Sequence, residues 1–241
     1  MTTIPKKIHY IWIGGNPKPQ IVLDCIESWK KYMPDYEIIE WNEDNYDVNK
    51  NDYMRQAYAH KKWAFVSDYM RFDILYNYGG IYVDTDVEFL KPIPEDVLQQ
   101  DSFTGVESAG NVSPGLIYAC KPNDEIAKAM IDSYVDSIFE PENPLKINDR
   151  ITDILKQYGF KKNNKLQVIN GLAIYPAEFF CGYDQDVKEI DITKDTISVH
   201  HYAGTWTKKT KKQVARTYLK KIFGVEGYRK ILMFYRKVAK K

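Results

Sequence analysis

Two aspartates separated by one residue, Asp84 and Asp86, are the residues of this sequence best suited to metal chemistry. They lie toward the carboxyl end of a hydrophobic run, residues 81–90, which predicts a β-strand after Gly79-Gly80. Side chains two positions apart on a strand share a face, so the two carboxylates would lie side by side. Such anions repel unless a cation joins them, and Mg²⁺ or Mn²⁺ prefers hard oxygen ligands. A diphosphate would complete the coordination shell.

The D-x-D pattern alone does not establish a metal site. A second copy, Asp184 and Asp186, occurs in a segment that predicts a loop. The alternative interpretation of Asp84 and Asp86 is a solvated strand end beside a turn. Position favours the metal site, because ligands of open α/β sheets bind at the carboxyl ends of strands.

The segments that would hold the aspartates predict an α/β fold. Residues 7–13 and 37–41 predict strands, and residues 19–33 between them predict a helix, an order that favours parallel neighbours. Residues 52–78 predict one long helix that stops at Gly79-Gly80. Further strands are predicted at 102–106, 116–120, 167–175 and 196–202, and further helices at 124–139 and 149–158.

Charge is unevenly distributed along the 241 residues, a length that suits one domain or two tightly joined lobes. The basic tail, residues 208–241, holds 13 Lys and Arg and one acid, so it carries +12 and the rest carries −11. Three well-separated cysteines argue against a disulfide framework and favour a reducing, cytoplasmic setting. We find neither a signal-peptide pattern nor an apolar run of membrane-spanning length, so we expect no helical anchor.

Four ordered blocks resemble a known enzyme family: IHYIWIGG, SWKK with PDY, AFVSDYMR, and NYGGIYVDTDVEF. Together they are similar to the bacterial and fungal glycosyltransferases related to the yeast initiating α-mannosyltransferase, including proteins of capsular polysaccharide synthesis. They also resemble the glucosyltransferase domains of clostridial toxins. The resemblance runs from about residue 4 to residue 206.

The resemblance implies a GT-A fold over residues 1–207, a Rossmann-like mixed sheet flanked by helices, followed by the tail. It implies a retaining, Mn²⁺- or Mg²⁺-dependent transferase that moves a hexose from a nucleotide sugar to a glycan or lipid-linked acceptor in surface polysaccharide synthesis. A UDP-sugar is favoured over a GDP-sugar as donor. The alternatives are a nucleotide-sugar hydrolase with the same metal site and a non-catalytic scaffold that binds sugar nucleotides.

The family's nucleoside contacts fall on the first strand and on the strand of the aspartates. Trp12 matches the tryptophan that stacks on the nucleobase, and Ile11 or Ile13 would contact the base edge. Tyr82 matches a tyrosine near the ribose. The alternative for Trp12 is an ordinary buried tryptophan.

Ser67, Asp68 and Arg71 match the family block S-D-x-x-R. Asp68 and Arg71 are three apart on the predicted helix and share a face. Arg71 would contact the donor's phosphate or sugar, and Asp68 would accept from sugar hydroxyls while restraining Arg71. The alternative is a surface ion pair.

The segment VHHYAGTW predicts a third metal ligand, because H-x-x-G resembles the metal-binding histidine segment of related galactosyltransferases. His200 and His201 would face opposite sides of a strand, and we predict His201 as the ligand. Thr205 and Trp206 would lie on a segment that closes over the diphosphate.

Three further polar residues have weaker support. Asn148 and Asp149 begin a predicted helix, where either a capping role or a role beside the sugar or acceptor is open. The family often has T-G-P near this position, and this sequence has I-N-D. Glu107 is a similar candidate.

The basic tail combines positive charge with an apolar stripe, which favours an interfacial helix on an anionic leaflet. We therefore predict a cytoplasmic protein bound peripherally to the inner face of the cell membrane. The alternative is a helix packed on the body. Nucleic-acid binding is not predicted, because no recognised module accompanies the charge.

Overall fold

The computed structural model describes residues 3–107, 110–184, 189–203, 224 and 227. The helices are α1 (Gln20–Tyr32), α2 (Asp52–Ala59), α3 (Trp63–Tyr78), α4 (Glu95–Leu98), α5 (Glu125–Asp132), α6 (Ile147–Gln157) and α7 (Ala177–Phe180). The strands are β1 (Lys7–Ile11), β2 (Glu37–Trp41), β3 (Gly80–Tyr82), β4 (Val87–Phe89), β5 (Ser102–Gly105), β6 (Tyr118–Cys120), β7 (Gln167–Ile169), β8 (Leu172–Tyr175), β9 (Tyr183–Asp184), β10 (Glu189–Ile190) and β11 (Ser198–His200).

A seven-stranded mixed sheet forms the centre, in the order β2-β1-β3-β6-β5-β8-β7. Strand β1 is parallel to β2 and β3, and β5 is parallel to β8. Strand β6 runs antiparallel to both β3 and β5, so its first residues lie at the edge where β3 and β5 end. The predicted α/β fold with a parallel first unit is therefore observed.

A second, two-stranded sheet pairs β4 with β11 in antiparallel register, and His200 lies opposite Val87. Helix α1 packs on this sheet, and the buried indole of Trp29 donates to the carbonyl of Val87 at 2.7 Å. The strand predicted at 81–90 is therefore two short strands in two different sheets. Asp84 and Asp86 lie on the connection between them, because the chain leaves the central sheet after Tyr82.

The helix predicted at 52–78 is also interrupted. Helix α2 ends at Ala59 and α3 begins at Trp63, with Lys61 between them at a φ of 56°. A left-handed residue ends a helix, and the hydrophobic spacing on either side does not reveal it. The strand predicted at 167–175 is instead the hairpin β7–β8, with Asn170 and Gly171 both at positive φ in the turn.

The core lies on both faces of the central sheet. Strand β3 is fully buried, and α3 covers β1 and β3 with residues from Val66 to Leu75. No helix within the described ranges is long and apolar enough to cross a membrane. Apart from residues 224 and 227, the basic tail lies outside the described residues, so its predicted helical form and the domain boundary at 207/208 remain predictions.

Candidate active site

Asp84 and Asp86 are brought together by a turn, which replaces the strand geometry that the sequence predicted. The backbone N–H of Asp84 donates to the carbonyl of Gly115 at 2.9 Å, and the N–H of Val87 donates to the carbonyl of Asp84 at 3.1 Å. A Cβ at Gly115 would lie 2.1 Å from Oδ2 of Asp84, so only glycine allows this approach. The turn lies at the carboxyl end of β3, where the sequence placed the site.

One histidine joins the two aspartates, and it is His200. Ligand atoms of Asp84, Asp86 and His200 all lie within 4.8 Å of one another. Nε2 of His200 is 3.0 Å from Oδ1 of Asp86, whereas Nε2 of His201 is 2.8 Å from Oε2 of Glu88. The prediction of His201 as third ligand therefore does not fit the geometry. His201 follows β11, and its backbone N–H donates to the carbonyl of Asp86 at 2.9 Å, whereas the ring of His200, the last residue of β11, reaches the Asp86 carboxylate.

Electrostatics hold Asp86 in its ionised form. Burial acts to raise the pKa of Asp86, but His200 and the backbone N–H of Ala203 outweigh it and lower this pKa to about 2. That N–H donates to Oδ2 of Asp86 at 2.9 Å. Burial would lower the pKa of His200, but Asp86 reverses this and raises it. The carboxylate is thus available as an anionic ligand at neutral pH.

Arg71 connects the helix to the aspartates. Arg71 is 3% exposed, and its guanidinium donates from Nη2 to Asp68 at 3.1 Å and pairs through Nη1 with Oδ1 of Asp84 at 3.4 Å. It also bonds to the carbonyl and hydroxyl oxygens of Ser67 at 3.2 and 3.1 Å. The ring of Tyr82 lies 4.6 Å from the guanidinium carbon, and the Tyr82 hydroxyl donates to Asp84 at 2.8 Å. The alternative of a surface ion pair does not fit, because both side chains are buried.

The site carries more negative than positive charge. Asp68 is buried, and this raises its pKa to about 7 against the opposing effect of Arg71. With His200 neutral, as a metal ligand must be, Asp84 and Asp86 outnumber the single guanidinium even when Asp68 is protonated. Unbalanced charge at such partly buried positions is costly, so the arrangement favours a cationic occupant.

The donor set fits a divalent cation. Two carboxylates supply hard oxygens, and imidazole is a competent ligand for Mn²⁺. The 3.0 Å between the Asp86 oxygen and the His200 nitrogen suits two ligands of one ion, whose bonds are each about 2.1 Å. The residues present therefore match the predicted Mn²⁺ or Mg²⁺ site, with His200 in place of His201.

A cavity of about 250 Å³ opens beside this cluster and unites most of the predicted residues. It is lined by Ile11, Ile13, Trp63, Ala64, Ser67, Arg71, Tyr82, Asp84, Thr85, Asp86, His200 and Tyr202. Asp68 is not part of this lining and lies behind Arg71, so the restraining part of its predicted role fits the geometry and the sugar contact does not. Thr205 and Trp206 lie outside the described residues.

Trp63, rather than Trp12, supplies an indole to the cavity. Trp12 is 6% exposed, and its Nε1–H donates to the carbonyl of Asn16 at 2.7 Å. The Trp63 ring packs edge-on against Tyr58 at 5.1 Å. Gly14, at a φ of 88°, makes room for it, since a Cβ there would lie 2.6 Å from the indole. Stacking by Trp12 is therefore not supported by its position.

A signal for Trp63 is present in the sequence. Trp63, Ser67 and Arg71 are spaced four apart, so they form one stripe on a helix. The S-D-x-x-R block predicts Ser67 and Arg71 as site residues, and the same stripe extends to Trp63. No sequence pattern indicates that Tyr202 lines the cavity. The direction of its side chain is set by the backbone turn after β11, where Tyr202 has a φ of 47°.

Asn148 and Asp149 do not cap helix α6. The N-cap is Lys146, and both residues lie in the first turn. Asn148 instead donates its amide to Glu107 and to the hydroxyl of Ser113, the latter at 3.3 Å. The capping prediction is wrong for these residues, because the helix begins two residues earlier than expected.

Comparison with known proteins matches residues 19–104 to the family described as the glycosyltransferase sugar-binding region containing a DXD motif. The predicted resemblance is confirmed for this region. The match includes Asp84 and Asp86, the two acids of the D-x-D motif, together with the Ser67–Arg71 block on α3.

Two curated relatives are similar over about half of the chain. The protein "Subversion of eukaryotic traffic protein A" of Legionella pneumophila is 26% identical over 164 residues, 56% of this chain and 25% of that protein. The human "Alpha-1,4-N-acetylglucosaminyltransferase" is 27% identical over 129 residues, 52% of this chain and 36% of the enzyme. The chain therefore spans about a quarter of the length of the Legionella protein and about a third of the length of the human enzyme.

Among solved structures, "PaToxG Glycosyltransferase" has a TM-score of 0.51 at 24% identity, covering 64% of this chain and 70% of that one. At 24% identity, this structural similarity is evidence for the fold alone. The predicted GT-A fold is confirmed by it.

Proposed function

We propose that the chain is a metal-dependent, retaining hexosyltransferase that uses a nucleotide sugar, with UDP favoured as the nucleotide. The observation that carries this proposal is the convergence of Asp84, Asp86 and His200 with Arg71 on one cavity. The family match of residues 19–104 supports sugar transfer as the reaction.

The nucleoside would lie between the end of β1 and the start of α3. Ile11 and Ile13 supply apolar surface and backbone groups there, and Trp63 supplies a flat ring. Stacking of a base on an aromatic ring contributes about 1–3 kcal/mol. Tyr82 is fixed between Arg71 and Asp84, so its ring would bound the ribose side.

The diphosphate would lie over the aspartates. Mn²⁺ or Mg²⁺ held by Asp84, Asp86 and His200 would supply positive charge to the diphosphate as the sugar leaves. Arg71 lies beside Asp84, and its guanidinium is held in place by Ser67 and Asp68. A fixed donor aimed at developing negative charge lowers the barrier without reorganisation.

Retention of configuration is proposed from the family resemblance, and the acids that line the cavity bear on how it would occur. Among its described lining residues the carboxylates are Asp84 and Asp86, and both belong to the metal cluster. Neither is left as a nucleophile for a covalent glycosyl intermediate. We infer that the acceptor hydroxyl attacks on the face that the nucleotide leaves, with the departing phosphate oxygen taking its proton.

The acceptor is proposed to be a glycan or lipid-linked sugar of surface polysaccharide synthesis. The support is the +12 charge of residues 208–241, which suits an anionic membrane surface where such an acceptor resides. Sedimentation of the full chain with phosphatidylglycerol vesicles and with phosphatidylcholine vesicles tests this. Equal binding to both would contradict the proposed location.

A donor panel tests the reaction. UDP-glucose, UDP-galactose, UDP-N-acetylglucosamine and GDP-mannose are each supplied with Mn²⁺, and nucleotide release is measured with and without EDTA and with oligosaccharide acceptors. We expect EDTA-sensitive release from one donor that an acceptor accelerates. Release that no acceptor accelerates would indicate a hydrolase. Metal-dependent UDP binding in titration calorimetry without nucleotide release from any donor would indicate a scaffold that binds sugar nucleotides.

A further inference from the structure

A polar pair lies at the same edge of the central sheet as the metal cluster and beyond the cavity. Glu107 follows β5, and Asn148 lies in the first turn of α6. The Asn148 amide donates to the carboxylate of Glu107 and reaches the hydroxyl of Ser113 at 3.3 Å. Ser113 is 4% exposed, so the pair is anchored to the body.

Strand register places this pair relative to Asp84. Tyr82 of β3 and Thr104 of β5 both lie opposite Tyr118 of β6, so β3 and β5 end at the same level on either side of it. Residues that follow these strands are therefore about 10 Å apart, or two strand spacings. The loop that begins at Ser113 bridges the gap, since the Gly115 carbonyl accepts from Asp84.

The Glu107 carboxylate is partly exposed at this edge of the sheet. Its backbone is fixed by two hydrogen bonds, from its own N–H to the carbonyl of Asn111 and from the N–H of Gly110 to its carbonyl. A partly exposed carboxylate is thus held at the sheet edge that carries the metal cluster, by its backbone and by Asn148.

The chemistry of the pair suits a sugar ring. A carboxylate offers about four acceptor positions, and one is occupied by Asn148. The remaining positions can accept from two neighbouring hydroxyls of a hexose. A phosphate at Asp84 and one hexose ring together can span the separation from Asp84 to Glu107.

We propose that Glu107, oriented by Asn148, accepts hydrogen bonds from hydroxyls of the transferred hexose and so selects which hexose is used. The inference rests on the proposed function and adds a sugar-recognition residue that lies outside both the cavity lining and the D-x-D motif.

The test compares wild type with Glu107→Gln, which keeps the shape and can still accept from Asn148. The readouts are kcat/KM for the four donors named above and the inhibition constant of the free nucleotide. We expect kcat/KM for the preferred donor to fall at least tenfold, with a reduced ratio between UDP-glucose and UDP-galactose. The inhibition constant of the nucleotide should stay within twofold.

Glu125→Gln is the matched control. Glu125 also accepts from an asparagine amide, that of Asn170 at 2.9 Å, but at the opposite edge of the sheet. We expect it to leave kcat/KM unchanged. Glu107→Asp, which keeps the charge on a shorter side chain, serves as a second variant if Glu107→Gln does not fold, and it should also change the donor ratio.

Two results would overturn the inference while leaving the proposed function intact. One is an unchanged kcat/KM and donor ratio in both Glu107 variants. The other is a loss confined to the KM of the acceptor with normal donor hydrolysis. If the wild type itself releases no nucleotide from any donor, the proposed function fails instead, so the two failures are distinguishable.

Discussion

Helix α3 carries two buried aspartates, Asp68 and Asp73, and each is paired with a cation. Asp73 is matched one to one by Lys50, at 2.6 and 2.8 Å, and also accepts from Tyr46 and Asn77. Asp68 shares Arg71 with Asp84, so carboxylates outnumber cations there. Both clusters border cavities, and the one at Asp73, about 470 Å³, is larger than the one at Asp84.

The comparison teaches that neither burial nor cavity volume identifies the site. The Asp73 cluster has balanced charge, and its carboxylate oxygens already accept four hydrogen bonds. The Asp84 cluster keeps excess negative charge when His200 is neutral, and Nε2 of His200 lies 3.0 Å from the Asp86 carboxylate. Unbalanced charge with remaining ligand capacity is what distinguishes a binding site from a structural ion pair.

The largest expected effect follows from removing this excess charge. Asp84→Asn or Asp86→Asn should lower kcat/KM about a hundredfold to a thousandfold, because the diphosphate loses its bound cation. The measurement is nucleotide release during titration with Mn²⁺.

Asp73→Asn is the matched control for these variants. It should lower thermal stability, since Lys50 loses its partner, while kcat/KM of the folded protein stays near wild type. Equal losses of turnover in the Asp73 and Asp84 variants would break the distinction between the two clusters.

The next effect separates the two histidines. His200→Ala should weaken Mn²⁺ binding about 10- to 100-fold, whereas His201→Ala should change it less than threefold, because only the His200 ring reaches the aspartates. Calorimetric titration of Mn²⁺ in the presence of UDP measures both. A larger loss for His201 would restore the sequence-based choice of ligand.

A smaller effect separates the two tryptophans. Trp63→Ala should weaken UDP binding about tenfold, in line with the loss of one stacking surface. Trp12→Ala should act mainly on stability, because its ring is 6% exposed and bonded to Asn16. UDP titration and thermal melting of both variants provide the comparison, and a greater loss of UDP affinity in Trp12→Ala would contradict it.

The last prediction concerns the free energy of unfolding, and turnover should be nearly unchanged. His9 is buried beside the Asp73 cluster, accepts from the indole of Trp41 at 3.0 Å and bonds to the carbonyl of Gly79 at 2.8 Å. Burial lowers the pKa of His9 from 6.5 to about 4, assisted by the charge of Lys7 and opposed by the Gly79 bond. The unfolded chain therefore binds this proton first as pH falls.

The free energy of unfolding should accordingly be complete above pH 6.5 and decrease as pH falls from 6.5 toward 4, by up to about 3 kcal/mol. Urea denaturation at several pH values measures this. His9→Gln, which can keep both hydrogen bonds, should flatten that slope. An unchanged slope in this variant would show that other groups carry the acid sensitivity.

Sequence patterns predicted the α/β fold, the edge of the sheet that carries the site and most residues that line the cavity. These follow from hydrophobic periodicity and from motifs, which are local properties of the chain. The choice between His200 and His201 could not be predicted, because it depends on how the turn at Asp84 and Asp86 packs against the end of β11, more than a hundred residues away.

Backbone conformation and tertiary contacts explain why other features of the site could not be predicted from the sequence. The break at Lys61, which starts α3 at Trp63, requires a left-handed residue that no propensity indicates. Trp12 matched a motif, yet its exposure depends on how Asn16 folds back over it. Glu107 and Asn148 meet only because β5 and α6 converge at one edge. Each of these features depends on tertiary packing, which local sequence patterns do not indicate.

Gly115 has a consequence for mutational studies. A single methyl group at this position would meet the Asp84 carboxylate at 2.1 Å and the Arg71 guanidinium at 3.2 Å. Alanine there would displace a proposed ligand and its neighbouring cation while changing neither residue. The geometry of the proposed cation site therefore depends partly on a position that has no side chain. A mutational survey limited to polar residues would overlook it.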